Sequence, residues 1–109
     1  MTSELREPSF FVLTALAGGP RHGYGVIQEV ERLSGGRTRL RAGTLYAAFD
    51  RLSAQGLIEV EREEVVEGRL RRYYRLTESG NLTLGVESRR RMTISKEALR
   101  RLRLSGGYT

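Results

Sequence analysis

The chain has 109 residues, enough for one domain with a single modest core. Hydrophobic residues make up 39% and charged residues 29%, a balance that excludes a wholly disordered chain. With no cysteine, disulfide frameworks, thiolate zinc sites and cysteine nucleophiles are excluded, and a reducing cytoplasm fits. The net charge of +6 directs attention to a polyanionic partner.

The stretch SFFVLTALAGG (9–19) has the apolar core and small residues of a secretory signal. The flanking Glu4, Arg6 and Glu7 are net negative where such a signal is positive, which argues against export. No apolar run reaches the roughly 20 residues that span a bilayer. With Glu7 and Pro8 suited to a first turn, the stretch reads instead as a buried first helix, stopped at Gly18 to Pro20. A second helix is predicted from about His22 to Leu33, with Val26, Ile27, Val30 and Leu33 on one stripe, ended by Ser34 to Gly36. Residues 37–41 fit either a short strand or an extended connector.

The third helix is predicted over Ala42 to Gln55, with Leu45, Phe49 and Leu52 on its core side and Gly56 after its end. Its other side presents Thr44, Ala47, Ala48 and Arg51, with Tyr46 near the edge. Small side chains there let the helix approach something closely. A hairpin follows, Ile58 and Val60 outgoing and Tyr74 and Leu76 returning on the core face, with a turn at Glu67 to Arg69. The outer face is expected to set Glu59, Glu61 and Glu63 opposite Arg71, Tyr73 and Arg75. Thr77 reads as an N-cap for a last helix reaching about Arg103, with an apolar stripe that Gly85 and β-branched residues interrupt. The final SGGYT is expected to fray.

Eighteen of the nineteen cations are arginine, whose planar fork suits phosphate and guanine edges; GC-rich codon usage accounts for that choice equally well. Placement says more. Residues 1–36 carry net −1, 37–57 net +3, 58–68 net −4, 69–76 net +4 and the remainder net +4. Positive charge gathers around the third helix, on the returning strand and on the tail, as for a polyanion bound on one side. Arg71 and Arg75 are expected to pair with strand glutamates, which leaves Arg69 and Arg72 as the better phosphate ligands.

Other readings of single features are the blander ones. His22 is expected to serve a loop or N-cap, since no second His or Cys completes a metal site. Alternation sends Tyr74 inward and only Tyr73 outward, against a stacking platform. Arg89 to Arg91 fan around a helix as a solvated face. No nucleophile–base pair or phosphate-cradling glycine loop is present, so neither catalysis nor a cofactor is expected.

Helix, helix, helix and hairpin is the order of a winged helix-turn-helix, in which the third helix enters the major groove and the wing touches the adjacent backbone. The segments GPRHGYGVIQEV (19–30), GTLYAAFDRLSAQGLIE (43–59) and GRLRRYYRLTESG (68–80) resemble, in order and spacing, the PadR-like transcriptional regulators. The resemblance implies a mainly α fold with a small β-hairpin wing: a DNA-binding domain over 1–80 and a C-terminal dimerisation helix with tail over 81–109. It places Thr44, Tyr46 and Ala47 at the groove, Arg51 towards the backbone, Tyr24 close to it, and Arg69, Arg71 and Arg72 on the wing. Arg39 and Arg41, in the connector, complete the DNA-binding set.

Leu82, Val86, Met92, Leu99 and Leu102 would form the dimer interface. The implied protein is a cytoplasmic homodimeric repressor on a roughly palindromic duplex operator, released by a small-molecule or other inducer. Where relatives often have Ser-Pro before GTLY, this chain has Arg41 and Ala42. Asp50 stands where many are basic, and pairing with Arg51 or Arg39 is its expected role. The short, interrupted last helix implies a smaller dimer seam, and without tryptophan no indole stacking slot exists at its centre. The rival class is a winged-helix protein-interaction module.

Overall fold

The structure, a computed structural model, describes residues 5–104, so the tail 105–109 lies outside the described residues. Helix α1 (Glu7–Ala17) carries proline in its first turn and Glu7 near the positive end of its dipole. It buries Ser9, Val12, Leu13, Ala15 and Leu16. Helix α2 (Gly23–Leu33) packs through Val26 and Val30, while Leu33, expected on the same stripe, is 41% exposed. Ser34 closes this helix, its hydroxyl accepting from the Thr38 N–H at 2.9 Å. The connector 37–41 forms no strand; it is pinned by the buried Leu40.

Helix α3 (Ala42–Ala54) buries Leu45, Ala48, Phe49 and Leu52. Ala48 is therefore core rather than part of the outward face. Gly56, at φ 75, takes the left-handed conformation that a helix end requires and that glycine adopts without strain.

Strands β1 (Ile58–Val66) and β2 (Arg69–Leu76) pair antiparallel from Ile58↔Leu76 to Val66↔Arg69. Glu67 and Gly68 both have positive φ, the signature of the primed two-residue turn that matches strand twist. A bulge at Glu61 breaks the register and re-aims the strand. Beyond it Arg62, Glu63 and Glu64 face Tyr73, Arg72 and Arg71, one step from the expected pairing. Val60 is 44% exposed, a correction to its expected core position. Only the base of the hairpin is core, where Tyr74 stacks on Phe49 at 4.1 Å between ring centroids. The other edge of β2 is held by Arg21, whose backbone exchanges two hydrogen bonds with Tyr74.

Thr77 caps helix α4 (Glu78–Leu104), its hydroxyl oxygen accepting from the Gly80 N–H at 3.0 Å. The helix runs unbroken for 27 residues, roughly 40 Å at 1.5 Å per residue, to the end expected for it and through the weak helix former Gly85. Its first turns lie on the head: Gly80 passes against the Leu57 carbonyl and Glu87 is buried. Arg91 donates to Glu87 and to the Leu5 carbonyl, and its guanidinium covers the Phe10 ring at 4.0 Å. Leu82, Val86, Met92, Leu99 and Leu102 are all exposed. At roughly 100° per residue, Leu82 and Val86 point away from the head, and Met92 and Leu99 lie about a quarter turn from them. No described helix is long and apolar enough to cross a membrane.

Candidate nucleic-acid interface

With Leu45, Ala48, Phe49 and Leu52 turned inward, α3 leaves Gly43, Thr44, Ala47 and Asp50 on its outer surface. Tyr46 is half-exposed, its ring edge-on to Phe49 at 5.9 Å. Between this helix, the start of α2 and the wing lies an open cleft of about 810 Å³, walled by Tyr24, Tyr46, Asp50, Arg69, Arg71 and Arg72 among others. Five of the ten expected DNA-binding residues thus meet in one concavity. Thr44 and Ala47 are exposed on α3 but do not line the cleft. Arg39 and Arg41 stand apart, in the connector ahead of α3.

The arginines differ in how free they are. Arg39 is bridged to Glu31 at 3.1 Å, and Arg51, half-buried, donates to Ser9 Oγ at 2.9 Å. The pairing expected of Asp50 with either is not formed, and its carboxylate faces the cleft. Arg75 pairs with Glu59 at 2.7 Å, as the cross-strand argument expects, but Arg72 pairs with Glu63 at 2.7 Å. Arg71 is the strand arginine left without a bridge among the described residues; Glu64 reaches it only through space. Arg69 likewise has no carboxylate partner among the described residues. Of the three wing arginines, Arg69 and Arg71 are therefore the ones ready for an external anion.

Hydrogen bonds from arginine hold several carboxyls below the ordinary range, Arg62 on Glu64 and Arg90 on Glu87 among them. Opposite in kind is His22, in the cleft wall, which burial and then Arg71 push below its ordinary value. His22 does occupy the N-cap position of α2, but its side chain makes no capping hydrogen bond. Tyr73 is half-buried rather than outward, its ring 5.3 Å from that of His22 and covered by the Arg62 guanidinium at 3.9 Å. Gly23 also lines the cleft, a role its sequence position does not announce. A β-carbon there would meet the Tyr46 hydroxyl at 2.9 Å, and the one local signal is a glycine opening a helix, where its low propensity is a cost.

Three helices with an exposed small-residue face on the third, and a hairpin with a basic returning strand beside it, define a winged helix-turn-helix. The model of the transcriptional regulator PadR-like family matches residues 12–86. The chain belongs to that family, and so to DNA-binding transcriptional regulators rather than to enzymes. It is 36% identical over 88 residues to a transcriptional regulator of Mycobacterium tuberculosis, covering 81% of this chain and 78% of that one. A PadR family regulator from Clostridium difficile superposes with a TM-score of 0.75 at 22% identity, over 89% of this chain and 99% of that one. Bacillus subtilis PadR, solved in complex with operator DNA, gives 0.65 at 22% identity over 73% and 46%. At those identities the two structures establish likeness of fold.

Proposed function

We propose that this chain is a homodimeric, sequence-specific repressor in the cytoplasm, with residues 1–80 as its duplex-DNA-binding head and 81–109 as its dimerisation helix and tail. The observation that carries this is the cleft in which Tyr46 and Asp50 of α3 meet Arg69 and Arg71, cations that lack internal partners among the described residues. A helix whose outer surface includes small residues can approach the major groove closely, and cations at its flank take the backbone. The solved complex of the Bacillus protein with its operator supports carrying the same arrangement here.

In the dimer, two α3 helices reach successive major grooves about 34–36 Å apart, so the operator is roughly palindromic. The exposed residues Leu82, Val86, Met92, Leu99 and Leu102 form the seam. A small-molecule or other inducer acts there by binding one separation of the heads better than the other, since only differential affinity shifts an equilibrium.

The test is a mobility shift on duplexes from the protein's own upstream region, at low and high salt, with unrelated duplex as competitor. A salt-sensitive shift that survives the competitor establishes sequence-specific binding. A shift lost equally to any duplex leaves a non-specific DNA coat, and no shift at all leaves a protein-interaction module.

A further inference from the structure

His22 is the only histidine in the sequence, and the DNA-binding reading gives it no role. It lies in the cleft wall with Arg69, Arg71 and Arg72. Its ring is held against Gly25 and against the Tyr73 ring, and among the described residues no hydrogen bond satisfies its ring nitrogens. The Cε1–Nδ1 edge of the ring lies over Gly25, and with no hydrogen bond to its nitrogens among the described residues the imidazole is placed in the cleft wall to meet something from outside.

The groups that face it are predominantly cationic. Arg71 and Tyr73 come from β2, with Arg62 of β1 over the tyrosine; Arg21 and Tyr24 flank it in the chain; Tyr46 and Asp50 stand on α3 across the cleft. In the free protein burial first, and then the Arg71 charge, push the imidazole below its ordinary value. Phosphates seated between Arg69 and Arg71 reverse the local potential, and an imidazolium becomes the favoured form, donating an N–H to a phosphate oxygen. We propose that His22 is a protonation-dependent phosphate contact, so that duplex binding takes up one proton at this residue. The proposal rests on the DNA-binding reading above.

The experiment measures the affinity of the whole chain for a duplex recovered by selection from a randomised pool, at constant ionic strength, from about pH 8 to about pH 6. The imidazole resonance is followed by NMR with and without that duplex. Affinity rises as pH falls, by about tenfold for each unit that DNA adds to the imidazole's midpoint. The midpoint moves up on the duplex, and His22→Gln flattens the pH profile. A flat wild-type profile, a midpoint that stays or falls on DNA, or a slope that survives His22→Gln overturns the contact while leaving DNA binding intact. Failure to bind any duplex at any pH overturns both readings.

Discussion

The Tyr46 hydroxyl lies 2.9 Å from the point a β-carbon on Gly23 would occupy, so the start of α2 and the outer edge of α3 are fitted to each other through a missing methyl group. Gly23→Ala must displace the tyrosine or the helix. Overpacking of this kind costs about 1–2 kcal/mol, and a displaced Tyr46 alters the cleft itself. Chemical denaturation should register the stability loss, and a mobility shift should weaken by more than the unfolded fraction explains. Equal binding per folded molecule would remove Tyr46 from the interface.

Gly80 poses a harder constraint, because a β-carbon there would overlap the Leu57 carbonyl. The obstacle is backbone, held by the Thr77 N–H donating to the Leu57 oxygen at 3.0 Å, and cannot rotate aside. Gly80→Ala should cost about 3 kcal/mol or more by moving α4 off the base of the wing. A thermal midpoint within a degree or so of wild type would contradict the close approach.

Charge roles on the wing separate by substitution. Arg69→Ala should lower the slope of log affinity against log salt by about 1 and weaken all duplexes alike. Arg72→Ala should lower it by less, since Arg72 is already engaged with Glu63. Glu63→Gln, which frees Arg72, should tighten binding. Thr44→Ala, on the exposed surface of α3 proposed to face the groove, should instead relax sequence preference by about 1–3 kcal/mol at one base pair. An unchanged slope in Arg69→Ala would remove the wing from the phosphate contacts.

What sequence reading reached and what it missed divide along a physical line. The three helices, the hairpin and the Thr77 cap were legible because periodicity, turn glycines and capping hydroxyls act locally. The bulge at Glu61 was not, because alternation assumes unbroken register, and one extra residue moved the partners of every later position. Ala48 looked outward by its size, but alanine is equally suited to a close helix contact and sits at 0% exposure. Arg51→Ser9 and Arg39→Glu31 depend on which helices become neighbours, which charge counting along the chain does not contain. Helix α4 was legible to about its last turn despite Gly85, because propensity is a weak term; the contacts of Glu87 and Arg91 with the head were not.

The pH dependence of the free protein's stability should show two separate windows. The folded state depresses His22 below its ordinary value of 6.5, so its contribution is complete above that pH and is lost as pH falls through the lower folded-state value. The depressed carboxyls Glu29, Glu64, Glu87 and Glu97 contribute fully above their ordinary value of 4.5 and lose that contribution in more acidic solution. Urea midpoints across the acid range should decline in both windows, and His22→Gln should remove only the upper one. A single acid transition unaffected by His22→Gln would rule out the imidazole's unfavourable setting.

The dimer seam is the remaining piece, and the geometry of α4 makes its test specific. Leu82 and Val86 are 66% and 60% exposed while Glu87, one residue on, is 7% exposed, so the helix buries one side on its own head and leaves large apolar groups on another. Surface exposure of that kind over several turns is unfavourable in water, and the proposed second copy would relieve it. Because Met92 and Leu99 are rotated from Leu82 and Val86, a partner helix must cross α4 or be joined by a second contact in order to cover both pairs. Met92→Glu or Leu99→Glu places an uncompensated charge in that seam and should drive the protein to monomer in sedimentation velocity. Affinity for a two-half-site duplex should then fall to that for one half-site, because the linkage that multiplies the two contacts is gone. A monomer that still preferred the full palindrome, or a Leu99→Glu dimer as tight as wild type, would place the seam elsewhere.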